Sequence, residues 1–179
     1  MTRRILQGQS GFTLIEMLIV VILLGILAMI IIPQIGVTTD DAKLNTLRTD
    51  LSGMRNAVEL YYVQHKNTYP GGVLATDGAT AADNTTCPAA LLAQLTKWSD
   101  ASGKTSDTKD LVNFPYGPYI KGGVLPTNPF NDKDTVVCDT VNKDITAKDA
   151  TASDDGWKFY TETGVLMAAD GTTDEHGSL

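Results

Sequence analysis

One stretch near the amino terminus constrains this chain more than any other. From Met17 to Ile32 every residue is apolar, counting Gly25. As a helix those 16 residues would extend about 24 Å, at ~1.5 Å per residue. A bilayer crossing takes about 20 residues, a length reached once Phe12, Leu14 and Ile15 in front and Pro33 and Ile35 behind are included. No later stretch comes close, so the sequence predicts one membrane segment over residues 12–35. Arg3 and Arg4 precede it. Lys/Arg flanks stay on the cytoplasmic side, so the remainder is directed outward. That remainder, 36–179, is long enough for one soluble domain with its own core.

The outward domain is acidic. The net charge of −7 includes Arg3 and Arg4, and loss of the residues before Phe12 would make it more negative still. Such a domain repels phosphate backbones, so direct nucleic-acid binding is not expected. Cys87 and Cys138 fall on the outer side, where disulfides form and persist, and a bond between them is expected. Only two histidines exist, His65 and His176. There is no His-Glu-x-x-His, Cys-x-x-Cys, Gly-x-Ser-x-Gly or phosphate-binding loop. An enzyme is therefore not expected, although a binding or catalytic domain on a single-helix anchor is the alternative of a different class.

Glu16 interrupts the apolar segment near its start. A carboxylate deep in a bilayer costs ~2.5–3.5 kcal/mol on insertion scales, so an intramembrane acid is by default a functional residue. At the headgroup level the cost is small and no role follows.

After Pro33 a second pattern begins. Leu44, Leu47, Leu51, Met54, Val58 and Tyr61 recur at spacings of three and four, one stripe of an amphipathic helix. Asp40, Asp41, Arg48, Asp50 and Arg55 lie mostly off that stripe. One helix is thus expected from about Phe12 to about Lys66, bare in its first half and packed on a domain in its second. Tyr69-Pro70-Gly71-Gly72 ends it. The domain then divides into the amphipathic helix half 36–66, a loop and short helix 67–110, and a sheet region 111–179. Leu91, Leu92, Leu95 and Trp98 mark the short helix, with Pro88 in its first turn. Trp157–Tyr160 and Val165–Ala169 flank a turn with Gly164, a hairpin signal; Tyr119-Ile120 and Thr135–Val137 are candidate partner strands. The expected class is α+β, with the long helix packed on a small antiparallel sheet. Asn84-Thr85-Thr86 matches a glycosylation sequon, in a threonine-rich loop where chance explains it better.

The polar-to-apolar boundary, Gly11-Phe12-Thr13-Leu14-Ile15-Glu16, closely resembles the prepilin signal of type IV pilins and type II secretion pseudopilins. The motif is highly specific in front of such a run, and the resemblance covers the first third of the chain. It implies a pilin-like fold and a leader, 1–11, that a prepilin peptidase removes between Gly11 and Phe12. N-methylation of Phe12 would follow. It also implies that Glu16 pairs with the amino group of Phe12, in a neighbouring subunit or its own, and that Gly25 and Pro33 bound a helix segment able to unwind on assembly. The product would be a homo-oligomeric helical filament, built with minor pilins or pseudopilins, an inner-membrane platform protein and, indirectly, an assembly ATPase. The precursor would sit in the inner membrane as a single-pass protein, head outward, before entering a periplasmic or cell-surface filament.

Within that family, Leu125-Pro126-Thr127-Asn128-Pro129-Phe130-Asn131 partly matches the Leu-Pro-x-Asp-Pro-Trp-Gly region of G-type major pseudopilins, with Asn128 for the acid and Phe130 for the tryptophan. This and the Gly156–Gly164 hairpin favour a type II secretion pseudopilin; a type IV surface pilin for adhesion, twitching or DNA uptake is the alternative. G-type pseudopilins also carry a calcium site near the carboxyl end, where Asp170, Asp174 and Glu175 supply oxygen atoms. The segment lacks the usual serine- and glycine-rich loop, so a solvated acidic tail is the preferred reading, with calcium as the alternative and no other cofactor expected.

Overall fold

The computed structural model describes residues 11–143, 155–169 and 171, without the side chains of 30–38. The calcium candidates Asp170, Asp174 and Glu175, and leader residues 1–10, lie outside the described residues. The chain divides into two compact units, Met1–Ala42 and Lys43–Leu179.

Helix α1 covers Leu14–Gln64 and is helical through positions 25 and 33. Its start is set by Thr13 and Glu16, three residues apart. The Thr13 N–H donates to the Glu16 carboxylate at 2.8 Å, and the Glu16 N–H donates back to the Thr13 hydroxyl at 3.3 Å. This reciprocal capping box satisfies two of the donors that a helix start leaves open. The helix ends where Lys66 and Asn67 take positive φ, 55° and 60°, and the Asn67 N–H returns to the Tyr62 carbonyl.

In the second unit the predicted stripe is the core-facing surface of α1. Leu47, Leu51, Met54, Val58 and Tyr61 are buried, whereas Leu44 is half-buried. They pack with Leu91, Leu95, Leu125, Val136, Trp157, Phe159 and Leu166 in one apolar cluster. Arg55, expected off the stripe, reaches over its edge instead: its guanidinium donates twice to the Leu166 carbonyl, at 3.2 and 2.8 Å. A long stem lets a charged residue do this while its head stays partly wet.

Helix α2 spans Cys87–Thr96. The Asp83 carboxylate prepares its start by accepting the backbone N–H and hydroxyl of both Thr85 and Thr86, and these donors hold that carboxyl far below its usual range. Cys87, Ala90, Leu91, Gln94 and Leu95 form its buried face. Two short strands follow, β1 Trp98–Ser99 and β2 Thr105–Ser106, paired antiparallel.

Strands β3 Val136–Asp139, β4 Trp157–Tyr160 and β5 Val165–Ala168 form the main sheet, in the order β3-β4-β5. The β4–β5 hairpin is antiparallel and closes through Gly164 at φ 70°. Chemistry requires glycine there, because a Cβ would strike the ring of Tyr69. The arrangement is α+β as expected, but β3 runs parallel to β4, so the sheet is mixed. Tyr119 and Ile120 do not form a strand either. Both of their N–H groups donate to the Leu95 carbonyl at 2.9 Å, closing the carboxyl end of α2. A disulfide joins Cys87 to Cys138, with 6.0 Å between their α-carbons, and ties α2 to β3.

Three polar side chains organise this unit from inside. Gln94 accepts from the Gly71 N–H at 2.7 Å and donates to the Val73 and Gly103 carbonyls at 3.0 and 2.9 Å. Asn128 accepts from the Phe130 N–H and donates to the Gly156 carbonyl, while Trp157 donates its indole N–H to the Pro126 carbonyl at 2.8 Å. The 126–131 segment is thereby fastened to the start of β4. Gly156 permits that closeness, since a Cβ there would strike the Lys133 carbonyl. His65 stacks on Tyr61 with ring centroids 3.6 Å apart, and burial pushes its pKa down. Its Nδ1–H donates to the Tyr61 carbonyl at 2.8 Å, which leaves Nε2 to accept from the Ser99 hydroxyl at 2.9 Å. Tyr119 contacts the same cluster edge-on and donates its hydroxyl to Gln64, and burial pushes its pKa up to about 12.

Candidate assembly site

The first unit carries the candidate site. Gly11, Phe12 and Thr13 lead directly into α1. From Phe12 to Met29 the large apolar side chains are exposed around the whole circumference of the helix. A helix apolar on every side is normally buried, in lipid or among other helices. Water around such a surface is costly, so this segment is an unsatisfied element by itself. Among the described residues no helix is long and apolar enough to cross a membrane. The expected span 12–35 extends past Met29 into residues whose side chains are not described.

Glu16 is the one acidic group in that surface, and its carboxylate is engaged inside its own chain. The Thr13 N–H at 2.8 Å and the Thr13 hydroxyl at 2.7 Å both donate to the same oxygen. The spacing Thr13-x-x-Glu16 is a capping-box signature that was available in the sequence, beside the intersubunit role the family resemblance implies. The structure thus gives Glu16 a local partner in the single chain. At Gly25 an added Cβ would meet nothing within 4 Å, so no close approach in the single chain requires glycine there. Cys87 and Cys138, by contrast, serve the second unit as a structural cross-link. Among the described residues there is no group of three or more His, Cys, Asp or Glu side chains able to hold a metal.

A long amino-terminal helix with an exposed apolar first part, a capped acidic residue near its start, and a disulfide-linked α+β unit define a chain whose first helix calls for cover by lipid or by other helices. The comparisons agree. The prokaryotic N-terminal methylation motif matches residues 6–32. The type II secretion system core protein G of Pseudomonas aeruginosa is 43% identical over 55 residues, covering 31% of this chain and 39% of that protein. The corresponding protein of Aeromonas hydrophila is 36% identical over 64 residues, covering 36% of this chain and 44% of that protein. A fimbrial protein of Pseudomonas aeruginosa is 31% identical over 138 residues, 71% of this chain and 83% of that protein. No solved structure matches the chain. The chain belongs to the type IV pilin and pseudopilin family. That family consists of structural subunits rather than catalysts. The chain spans less than half the length of the core protein G relatives it matches.

Proposed function

We propose that this chain is the structural subunit of a type IV pilus-like filament, polymerising through the helix that starts at Phe12. The observation that carries this reading is the all-round apolar exposure of Phe12 to Met29, within the residues that the methylation motif matches. In the precursor that surface is covered by the inner membrane, with the acidic domain outside; in the product it is covered by copies of itself. A prepilin peptidase cuts between Gly11 and Phe12, and the new Phe12 amino group is methylated. Glu16 then exchanges its local donors for the amino group of Phe12, its own or a neighbour's. Pairing neutralises both charges before the helix enters an apolar interior. Gly25 and Pro33 bound the part of α1 that gives way on packing. Residues 36–179 form the head. A platform protein, minor subunits and a cytoplasmic ATPase act with it.

The similarity to core protein G supports a type II secretion pseudopilin, a short periplasmic filament that moves folded proteins outward. One observation favours a surface pilin instead: the fimbrial protein of Pseudomonas aeruginosa aligns over 138 residues, 83% of its own length. The test is to shear filaments from cells that make the chain together with its assembly machinery and to sequence the subunit's amino terminus. A methylated Phe12 supports the reading. A subunit that begins downstream of Met29, or the absence of any multimer, would overturn it. Deletion of the gene then separates the two kinds: loss of exoprotein release marks the pseudopilin, and loss of surface fibres marks the pilin.

A further inference from the structure

A polar cavity lies where the end of α1 and its following loop meet the turn after β4. Its volume is about 330 Å³, within the roughly 300–1,000 Å³ of pockets that hold small molecules. Tyr62, Asn67, Thr68 and Tyr69 line it from the α1 end, and Thr161 and Glu162 from the turn. Main-chain bonds fix these walls. The Asn67 N–H donates to the Tyr62 carbonyl at 3.1 Å, the Thr68 N–H to the His65 carbonyl at 3.0 Å, and the Thr161 N–H to the Asp139 carbonyl at 3.0 Å.

The lining combines a ring platform with unengaged polar groups. Tyr62 and Tyr69 lie nearly parallel, with ring centroids 4.3 Å apart and 25° between their planes. Gly164 backs Tyr69 so closely that a Cβ would strike its ring, which holds the pair in place. Tyr62 makes no other ring contact among the described residues. An aromatic face carries partial negative charge and attracts the slightly positive C–H hydrogens of an apolar partner. Beside the rings, the Asn67 amide, the Thr68 hydroxyl and both phenols have no hydrogen-bond partner among the described residues. The acids of neighbouring loops behave differently: Asp77, Asp83 and Asp139 each accept N–H groups of their own turns. Unengaged donors and acceptors that converge on one cavity suit a ligand able both to donate and to accept.

Charge around the cavity balances. Glu162 is paired with Lys143 at 3.3 Å, and Lys66 precedes Asn67 in the turn. Burial, and after it the nearby Glu59 carboxylate, push the Tyr69 pKa up. Two carboxylates and two ammonium groups favour neither sign of ion. Two rings stacked on each other also form a platform, not the box of separate faces that encloses a cation. A sugar has the complementary make-up, a C–H face and a rim of hydroxyl groups. We infer that this cavity binds a neutral carbohydrate, one sugar unit resting its C–H face on Tyr62 while Asn67, Thr68 and Glu162 take its hydroxyls. The inference goes beyond the filament reading and does not rest on it, since every residue of the site belongs to the second unit.

The test is saturation-transfer NMR on the full chain in a detergent without sugar headgroups. Lactose, maltose and N,N′-diacetylchitobiose serve as probes, with tetramethylammonium and inorganic phosphate as charged controls. At least one sugar should receive saturation on its ring C–H protons, with an affinity that low and high salt leave unchanged. Tyr62→Leu keeps an apolar side chain beside Tyr69 but removes the ring. Asn67→Gly removes the amide at a position whose φ of 60° suits glycine, so the melting temperature should hold. Each should weaken sugar binding about tenfold, the scale of one lost ring contact or hydrogen bond. No transfer to any of the three sugars, or transfer that both variants leave intact, overturns the site. Transfer to tetramethylammonium in place of the sugars, or phosphate competing the sugar away, overturns the neutral class. Each of these results leaves the filament reading standing.

Discussion

Gln94 offers the sharpest test of how the head is held together. Its side chain is fully buried and joins three backbone groups from two loops: the Gly71 N–H, the Val73 carbonyl and the Gly103 carbonyl. Gln94→Leu fills nearly the same space but leaves those groups without a partner. A buried donor or acceptor left unmade costs about 1–3 kcal/mol. The Val73 carbonyl is only part-buried and can turn to water, so the two buried groups carry most of the loss. The expected destabilisation is about 3–5 kcal/mol, which at ~3 °C per kcal/mol for a domain of this size lowers Tm by about 10–15 °C. Gln94→Glu supplies a second arm. It keeps the acceptor for Gly71 but sets a carboxylate oxygen against two carbonyls, so burial raises its pKa above the unfolded ~4.3. Such a group is best tolerated protonated, and the deficit relative to wild type should shrink as pH falls from 7 to 5. The assay is a near-ultraviolet circular dichroism melt of the full chain in detergent, following Trp98 and Trp157. A Gln94→Leu melt within about 3 °C of wild type, or a Gln94→Glu deficit that ignores pH, would refute the reasoning.

Three other outcomes are expected. The Cys87–Cys138 bond closes a 51-residue separation, for which loop entropy gives about 4 kcal/mol, so Cys87→Ala with Cys138→Ala should melt about 10 °C lower in the same assay. His65 has a folded pKa lowered by burial, among Tyr61, Tyr116, Tyr119 and the nearby Asp100. The unfolded chain then binds the proton better, so stability is full above pH ~6.5 and falls below it; His65→Gln should flatten that decline in Tm between pH 7 and 5. Gly25→Ala is sterically open in the single chain and should raise helix content in detergent, since alanine favours a helix interior by about 1 kcal/mol. If α1 must unwind near Gly25 to pack, the same variant lowers filament yield, and a wild-type yield would remove unwinding there from assembly.

What the sequence made legible was what local pattern dictates. The stripe from Leu47 to Tyr61 repeats at helical spacing over four turns, and those side chains are the buried ones. The β4–β5 hairpin was visible because a glycine stood between two apolar runs. Strand direction was not visible: a four-residue alternation such as Val136–Asp139 reads the same either way along the partner, and only the whole connection decides it. Tyr119 and Ile120 looked like strand residues because their composition suits a half-buried surface, yet the exposed end of α2 had the stronger claim on their N–H groups. Gln94 and Asn128 were missed as interior residues, since amides are more often outside. A signal existed for Gln94, which lies between Leu91 and Leu95 on the buried face of α2. Asn128 stood in the sequence as a departure from an acid. Its amide does what a carboxylate cannot, donating to the Gly156 carbonyl while accepting from Phe130.

Glu16 has one observed contact and one proposed role, which a single substitution would confuse. In the single chain it closes the capping box with Thr13; in the proposed filament its charge meets the amino group of Phe12. Glu16→Ala removes both and cannot tell them apart. Glu16→Gln can, because a glutamine oxygen still accepts the Thr13 N–H and serves in a capping box, but carries no charge. If capping is the whole role, Glu16→Gln assembles like the wild type and only Glu16→Ala loses helix at the start of α1. If charge pairing drives assembly, Glu16→Gln keeps its helix and its processing at Gly11 but yields no more filaments than Glu16→Ala. The second pattern is expected, because an unpaired ammonium at Phe12 entering an apolar interior costs far more than one helix cap, which contributes about 1 kcal/mol. Wild-type filament yield from Glu16→Gln would leave the apolar surface alone to drive assembly and reduce Glu16 to a local cap.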